Sequence, residues 1–274
     1  DIAGNRFDHP SRKLTMVGVT GTNGKTTTTT LIKHILEAEG HKVGLIGTNQ
    51  NMIGDEVIPT ERTTPESYEL QALFARMAEA GCTHCVMEVS SHSLVLDRVR
   101  GVRFAVGAFT NLTQDHLDFH KTMEAYREAK AKLFTISDKG VINLDDPVAD
   151  KMLADAECPC LTFSADKDAA DLSAKNIELG ASGVSFVAAT RDAIARVSLG
   201  IPGHFSVENA LAALGVCVAL GVPLENAARA LGTAHGVKGR AEVVPTNTDY
   251  TVLIDYAHAP DGVSNILRTV RGFA

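Results

Sequence analysis

The chain has 274 residues, 45% of them hydrophobic, which is enough to bury the core of one large domain or of two smaller ones. Its formal net charge of −7 argues against nonspecific binding to nucleic acid or to an anionic membrane. No apolar run approaches the roughly 20 residues of a membrane span. The five cysteines, an odd and thinly spread set, are typical of reduced thiols in the cytoplasm.

The first half of the chain predicts an α/β fold. Residues 1–13 are polar, contain a Pro10 break, and are typical of a linker. Short apolar runs then alternate with helical patterns. The predicted strands are 14–19, 42–47, 83–89, 104–109 and 140–144, and the predicted helices are 27–38, 66–80, 93–99 and 123–134. This alternation predicts a mostly parallel sheet that is covered by helices on both faces.

The second half changes character. Four strand-like segments joined by short turns predict a small, mainly antiparallel sheet appended to the first; they are 161–164, 172–179, 183–189 and 194–199. Helical patterns return at 207–220 and 224–233. A strand at 250–255 and a helix from 259 to 268 follow. One strand and one helix cannot bury a core alone, so we expect a second, truncated domain that begins near Ala241.

The segment 18–27 (GVTGTNGKTT) predicts a phosphate-binding loop of the P-loop type. It follows an apolar strand and opens a helix, so backbone N–H groups and the helix N-terminus can surround a phosphate, with Lys25 adding a charge. The hydroxyl of Thr26 stands where Mg²⁺ would lie. The common pattern requires glycine at position 19, where this chain has Val19. The structural alternative is a glycine turn before a helix.

Two further elements follow strands of the same predicted sheet. Glu88 ends a buried strand and is placed to hold Mg²⁺; the alternative is a surface glutamate at a strand end. The segment 110–120 contains His116 between Asp115 and Asp118, which suits a metal ligand or a general base. Ligands of open α/β sheets bind at these strand ends, which favours a shared site.

The helix at 123–134 carries two lysines with different predicted directions. Lys130 falls on the apolar stripe of Tyr126 and Leu133, whereas Lys132 faces solvent. An inward lysine has a lowered pKa and a more available neutral amine. On helical geometry alone, we favour the alternative that the stem of Lys130 is buried and its head reaches water.

Together these motifs resemble those of the Mur ligase family, whose members add amino acids to the UDP-linked peptidoglycan precursor, and most closely its MurE type. The motifs are 18–27, 63–66 (TTPE), 87–92 (MEVSSH), 111–118 (NLTQDHLD), 126–130 (YREAK), 209–213 (NALAA) and 255–261 (DYAHAPD). The resemblance covers residues 10–265. The family's phosphate loop carries its glycines where this chain does, which accounts for the mismatch at Val19.

The resemblance implies a role for each element. The implied ATP contacts are Gly21, Thr22, Asn23, Gly24, Lys25, Thr26, Thr27, Asn209, Arg240 and Asp255, with Lys25 on the phosphates, Asn209 on the adenine side, Arg240 at the γ-phosphate and Asp255 on the ribose. The implied ligands of two Mg²⁺ are Thr26, Glu88, His116 and a carbamate formed from CO₂ on Lys130. The implied catalytic residues are Lys25, His116, Lys130 and Arg240. The implied contacts to the UDP-sugar are Thr63, Thr64, Ser90 and Arg98.

The resemblance also implies a domain layout. Residues 1–13 would be the linker from a missing N-terminal UDP-binding domain, 14–240 the central ATP-binding domain, and 241–274 the start of a Rossmann-like C-terminal domain. We expect that such a fragment does not ligate efficiently, because it cannot position the incoming amine. We also expect a monomer.

The implied reaction forms an amide bond at the expense of ATP. The terminal carboxylate of UDP-MurNAc-L-Ala-D-Glu attacks the γ-phosphate, and the acyl phosphate then meets the amine of a free amino acid. Meso-diaminopimelate is the commoner third residue in the family and L-lysine the usual alternative.

Three other functions compete with this interpretation. A folylpolyglutamate synthase resembles the same fold and phosphate loop, but the pattern at 63–65 and 88–92 favours a UDP-muramoyl substrate. A catalytically silent nucleotide-binding or scaffold protein would be expected to lack the metal-site residues that are present here. A P-loop kinase would release a stable phosphorylated product and not an amide.

Overall fold

The fold is described by a computed structural model over residues 2–234, 236–248, 250–258 and 260–272. The ends of the predicted linker and C-terminal segment, and Ala259 of the 255–261 motif, lie outside these residues. The strands of the main sheet are β1 (Thr15–Thr20), β2 (Val43–Ile46), β3 (Asn51–Ile53), β4 (Glu56–Ile58), β5 (His84–Glu88), β6 (Val106–Phe109), β7 (Gly140–Asn143), β8 (Cys160–Ser164), β9 (Leu172–Gly180), β10 (Gly183–Ala189) and β11 (Ile194–Leu199).

The described residues form ten α-helices. They are α1 (Ile2–Arg6), α2 (Lys25–Ala38), α3 (Ser67–Glu79), α4 (Ser91–Val95), α5 (Leu117–His120), α6 (Met123–Ala131), α7 (Ala149–Asp155), α8 (His204–Ala219), α9 (Leu224–Leu231) and α10 (Pro260–Arg271). None of these helices, in the part of the chain that is described, is both long and apolar enough to span a bilayer.

The predicted α/β architecture is confirmed. The strand order is β11-β10-β9-β8-β7-β6-β1-β5-β2-β3-β4. The seven strands from β9 to β2 in that order are parallel to one another. Side chains alternate between two cores. Val17 of β1 packs with Leu31 of α2 and Leu211 of α8 on one face, whereas Met16 packs with Phe74 of α3 on the other.

The antiparallel strands differ from the sequence prediction in one respect. They continue the edge of the main sheet, because β8 pairs in parallel with β7 and β9 pairs in parallel with β8. Antiparallel pairing at this edge is confined to β9 with β10 and β10 with β11. The crossover between β7 and β8 is α7, a seven-residue helix that the sequence pattern did not reveal. A second antiparallel pair, β3 and β4, extends the opposite edge and was also missed.

The two ends of the chain are more ordered than their composition indicates. In the predicted linker, α1 and a 3₁₀ turn at Pro10–Lys13 pack beside α3, where the rings of Phe7 and Tyr68 are 5.2 Å apart. Near the other end, β12 (Glu242–Val244) and β13 (Val252–Ile254) form a separate two-stranded sheet. That sheet and α10 leave Ile254 and Leu267 exposed. The domain boundaries themselves stay predictions.

Candidate active site

The predicted site elements meet at one edge of the sheet. Strand β1 lies between β5 and β6, and all three are parallel, so their carboxyl ends point the same way. The phosphate loop follows β1, Glu88 ends β5, and the segment with His116 follows β6. The parallel register therefore brings together groups that are far apart along the chain.

Two glycines shape the phosphate loop. Gly21 and Gly24 have φ angles of +148° and +85°, which L side chains rarely adopt. A Cβ at Gly21 would collide with the hydroxyl of Thr110, and one at Gly24 would collide with the side-chain amide of Asn209. Glycine is therefore required at both positions by the backbone conformation and by the neighbouring side chains.

The loop is held by the segment that follows β6. The N–H of Thr22 donates to the carbonyl of Asn111 at 2.8 Å, and the N–H of Asn23 donates to the Asn111 side chain at 2.9 Å. The hydroxyl of Thr110 donates to the Asn23 carbonyl at 2.6 Å. These bonds fix the loop without using the N–H groups of the first turn of α2, which have no intrahelical acceptors and can bind an anion.

Two lysines lie inside the loop. Lys25 Nζ donates to the carbonyls of Gly21 and Thr22 at 3.0 and 2.9 Å, and Lys130 Nζ donates to the same Gly21 carbonyl at 2.8 Å. Lys130 is only 1% exposed, so the expectation that its head reaches water is wrong; the carbonyl of Gly21 takes the place of solvent. Lys132 is exposed, as predicted.

Burial is the main cause of the altered titration of both lysines. It lowers the pKa of Lys25, with the Glu88 carboxylate opposing the shift and Arg240 adding to it. The pKa of Lys130 is lowered well below its usual value, mainly by burial and then by the positive charge of Lys25. A larger fraction of Lys130 than of an exposed lysine is therefore in the neutral amine form that reaction with CO₂ requires.

Helix α6 places the aromatic ring of Tyr126 in the site, beside Lys130 and His116. The helix begins where the hydroxyl of Thr122 accepts a hydrogen bond from Ala125 N–H at 3.1 Å. Lys130 Nζ lies 4.4 Å from the ring centroid of Tyr126. The ring centroids of His116 and Tyr126 are 6.0 Å apart. His116 itself is half-exposed, with a φ of 53° at the start of α5.

Glu88 is a buried carboxylate without a cationic partner. It is 1% exposed, and its two oxygens accept hydrogen bonds from the N–H and the hydroxyl of Thr48 at 2.8 and 2.9 Å. Within the described residues, no lysine, arginine or histidine nitrogen lies within 4.0 Å of it. The alternative of a surface glutamate is therefore wrong, and the chemistry of this donor fits a divalent cation.

A metal site built only from His, Cys, Asp and Glu side chains is not supported by the described residues. In the described ranges, no cluster of three or more His, Cys, Asp or Glu side chains could hold a metal ion. A cation at this edge would thus depend on mixed donors, namely the carboxylate of Glu88, the hydroxyl of Thr26, the imidazole of His116 and a group on Lys130.

The four residues expected to contact a UDP-sugar cluster around Thr64. Its hydroxyl donates to the Glu88 carbonyl at 2.9 Å and accepts from Ser90 N–H at 3.1 Å, and Arg98 donates to its carbonyl at 3.1 Å. The hydroxyl of Thr63 lies 3.0 Å from that of Thr48. The cluster thus contacts the backbone carbonyl of Glu88 through Thr64, and it reaches the carboxylate of Glu88 through Thr63 and Thr48.

The remaining predicted contacts reach the loop to different extents. Asn209 of α8 accepts from the Thr28 hydroxyl at 3.4 Å and lies against Gly24. Arg240 Nη2 donates to the Thr26 hydroxyl at 3.5 Å. Asp255 accepts hydrogen bonds from Ala241 N–H at 2.7 Å and Ala257 N–H at 2.8 Å, and among the described residues it has no hydrogen bond to the phosphate loop.

Three contributors were not recognised as site residues from the sequence. Thr48 binds Glu88, Asn111 holds the phosphate loop, and Tyr126 lies under Lys130. Thr48 and Asn111 each lie within two residues of the end of a strand, β2 and β6, so the strand-end rule could have found them. Tyr126 gave no such signal, since an aromatic residue on an apolar stripe is usually a core residue.

Comparison with known proteins decides the family, because the Mur ligase middle domain matches residues 19–217. The chain belongs to the Mur ligase family. It is 50% identical over 99% of its length to a UDP-N-acetylmuramoyl-L-alanyl-D-glutamate--2,6-diaminopimelate ligase of Caldanaerobacter subterraneus subsp. tengcongensis. A protein of the same name from Clostridium tetani is 48% identical over 99% of the chain. The chain covers 56% of each of these relatives, so it spans about half the length of the curated relatives it matches.

Solved structures agree with the fold. A structure of UDP-N-acetylmuramoyl-L-alanyl-D-glutamate--2,6-diaminopimelate ligase matches 99% of this Mur ligase chain with a TM-score of 0.86 and 31% identity, and 57% of that chain is covered. Folylpolyglutamate synthetase from Lactobacillus casei matches 98% of the chain, and 74% of its own chain is covered, with a TM-score of 0.76. At 21% identity, the second likeness supports the shared fold alone.

Proposed function

We propose that this chain is the ATP-binding part of a ligase that adds meso-diaminopimelate to UDP-MurNAc-L-Ala-D-Glu in the cytoplasm. The ligase activity for which the similar proteins are named supports this proposal. The observation that carries it is the contact of two lysines with one carbonyl of the phosphate loop, together with the buried Glu88, whose backbone carbonyl accepts a hydrogen bond from Thr64. The nucleotide and the sugar-peptide would meet on either side of Glu88.

The phosphate loop would bind and orient ATP. The N–H groups of the first turn of α2 face the phosphates, and Lys25 exchanges the carbonyls of Gly21 and Thr22 for phosphate oxygens. Arg240, already beside Thr26, adds positive charge at the γ-phosphate. This concentration of charge is needed because one anion, the substrate carboxylate, attacks another.

Thr26, Glu88, His116 and a carbamate on Lys130 would hold two Mg²⁺. Bound there, the cations would supply the charge that neutralises the phosphate oxygens during transfer. The mixed donor set and the unpaired carboxylate of Glu88 support this assignment. The low pKa of Lys130 supports carbamate formation, because only a neutral amine reacts with CO₂.

The Thr64 cluster would orient the sugar-peptide. Arg98 carries a guanidinium Nε that is buried without a hydrogen-bond partner among the described residues, and it forms an ion pair with Glu66 at 2.8 Å. The hydroxyls of Thr63, 3.0 Å from that of Thr48, and of Ser90, which accepts from Ser93 N–H at 3.1 Å, are further polar groups at the same edge. Asn209 and Asp255 would contact the nucleotide. The substrate carboxylate would then approach the γ-phosphate between the Thr64 cluster and these nucleotide contacts.

Ligand binding and product analysis test this proposal. We expect the 274-residue chain to bind MgADP, and the protein that contains this chain to bind UDP-MurNAc-L-Ala-D-Glu in preference to a reduced folate. That protein should form an amide with meso-diaminopimelate faster than with L-lysine, with release of ADP and phosphate. A preference for the folate would instead support a folylpolyglutamate synthase, and nucleotide binding without amide formation would support a catalytically silent module.

A further inference from the structure

The Tyr126 side chain is buried at the centre of the site; it belongs to the 126–130 motif, but no role was assigned to it from the sequence. It is 1% exposed and contacts three separate parts of the site: α6, the phosphate loop and the histidines beside α5. Burial raises its pKa to about 12, so its hydroxyl remains protonated under all ordinary conditions.

The ring face of Tyr126 carries the amine of Lys130. Nζ lies 4.4 Å from the ring centroid, so the amino group packs against the ring face, and it donates a hydrogen bond to the Gly21 carbonyl at 2.8 Å. The Tyr126 ring limits movement of the amine on one side, and the hydrogen bond to the Gly21 carbonyl fixes the distance of the amine from the phosphate loop. Both contacts together restrict a four-carbon side chain that would otherwise have many rotamers.

The hydroxyl of Tyr126 reaches the phosphate loop directly. It lies 3.2 Å from the hydroxyl of Thr22, and either oxygen can donate. The Thr22 hydroxyl also accepts from Thr113 N–H at 3.0 Å. One side chain thus connects Lys130 with the loop residue next to Gly21, the residue whose carbonyl both lysines share.

Two histidines hold the ring in place. His120 stacks on it at 4.9 Å with an interplanar angle of 29°, and His116 meets it edge-on at 6.0 Å and 86°. His120 is in turn bonded through Nε2 to the hydroxyl of Ser91 at 2.8 Å. A ring supported in this way has little freedom to move, which is what a side chain that orients another group requires.

We propose that Tyr126 is a positioning residue that holds the Lys130 amine and the Thr22 loop backbone at a fixed spacing. The inference rests on the proposed function, since the spacing matters only if a nucleotide binds in the loop. The ring acts on Lys130 and the hydroxyl acts on Thr22, so the two contributions are separable by mutation.

Two double-mutant cycles on MgADP affinity test the proposal in the 274-residue chain. For the hydroxyl, we expect Tyr126→Phe to weaken binding by about three- to tenfold, the range for one lost hydrogen bond. The same change in a Thr22→Val background should have little further effect. For the ring, Tyr126→Leu should weaken binding in the parent protein, and the effect should differ at least about threefold in a Lys130→Met background.

Additive effects in both cycles would overturn the inference, because a merely structural tyrosine would weaken binding equally with or without Thr22 and Lys130. Urea unfolding of each variant separates loss of fold from loss of coupling. Tyr126→Phe retains the packed ring, so the Thr22 cycle decides the matter even if Tyr126→Leu does not fold. Failure of the parent protein to bind MgADP would overturn the proposed function and this inference together, whereas binding with additive cycles would overturn the inference alone.

Discussion

Lys25 and Lys130 donate hydrogen bonds to the same backbone oxygen, the carbonyl of Gly21, although they are 105 residues apart in the chain. Two nitrogens bound to one oxygen lie within about 6 Å of each other, a distance at which like charges strongly perturb each other's titration. One carbonyl therefore brings the amino groups of two lysines together. The pH behaviour of the protein should record this arrangement.

The first prediction concerns alkaline stability. Since the pKa of buried Lys130 is lowered in the folded state, the unfolded chain binds more protons between that lowered pKa and 10.5. The free energy of unfolding should therefore rise with pH in this window, by at most about 1.4 kcal/mol per pH unit for this group. Lys130→Met should flatten the rise, as measured by urea unfolding at several pH values.

Lys132→Met is the matched control for this prediction, because Lys132 is a nearby but exposed lysine. Its removal should leave the slope unchanged. Equal slopes for the parent protein and Lys130→Met would contradict a buried, perturbed amine at this position.

The second prediction concerns the phosphate-loop glycine Gly24. Gly24 and Gly40 have nearly the same φ angle, +85° and +86°, but a Cβ meets Asn209 at Gly24 and open space at Gly40. Alanine at either position should lower the free energy of unfolding by about 1 kcal/mol through backbone strain. At Gly24 the displaced Asn209 would also lose its bond to Thr28, which costs about 1 kcal/mol more.

Calorimetric titration with MgADP separates these two substitutions further. Gly24→Ala should weaken binding at least about tenfold because the loop N–H groups move, whereas Gly40→Ala should not change it. A Gly24→Ala protein that binds as tightly as Gly40→Ala would show that this loop does not hold the phosphates.

The third prediction tests Glu88 as a metal ligand. Glu88→Gln retains the size of the side chain and an oxygen that can accept from Thr48. It should lower the affinity for MgADP at least about tenfold, because a neutral amide is a poor ligand for Mg²⁺. Affinity for ADP without Mg²⁺ should stay the same or rise, because a negative charge near the phosphates is removed.

Glu56→Gln serves as the control, since Glu56 is exposed and pairs with Arg76 at 3.1 Å on the outermost strand. The readout is the ratio of affinities with and without Mg²⁺. If Glu88→Gln and Glu56→Gln give the same ratio, Glu88 does not bind the cation.

The fourth prediction concerns acid. Burial, with a smaller contribution from His41, lowers the pKa of His84 to about 4. Between pH 6.5 and about 4 the unfolded chain binds the extra proton, so the free energy of unfolding should fall as pH falls through this range. His84→Gln should reduce that loss in urea unfolding experiments.

His204 supplies a comparison of opposite sign. Its bond to Glu208, and then Asp166, raises its pKa, so its stabilising contribution is present below pH 6.5 and is lost as pH rises through the raised pKa. His204→Gln should therefore destabilise the protein at acidic pH and matter less at alkaline pH. A same-sign response of the two variants would contradict these assignments.

Much of the fold follows from sequence because apolar strands and helices alternate with clear periods. The phosphate loop, Glu88 and the inward direction of Lys130 were visible for the same reason. Helical geometry alone favoured a solvent-facing head group for Lys130, which is wrong, because it gives the direction of a stem but not the acceptor at its end; the family resemblance implied the inward position. That acceptor, the Gly21 carbonyl, depends on a register between β1 and β6 that no local pattern encodes.

Short elements were missed for a different reason. Strands β3 and β4 have three residues each and α7 has seven, too few to establish a hydrophobic period. Tyr126 was recognised only as a core residue, because a buried aromatic ring has the same sequence pattern whether it fills space or orients a lysine. Such distinctions require contacts between distant parts of the chain.

The bonds of Arg240 and its neighbours differ in tightness on the two sides of the residue. Its contact with the Thr26 hydroxyl is long, 3.5 Å, whereas the next residue, Ala241, bonds to Asp255 at 2.7 Å and the Arg240 guanidinium lies 4.6 Å from the Tyr256 ring centroid. Arg240 is thus attached firmly to the segment that follows it and loosely to α2. A displacement of that segment would therefore change the distance of Arg240 from Thr26, whereas the bonds by which Thr110 and Asn111 hold the phosphate loop do not involve it.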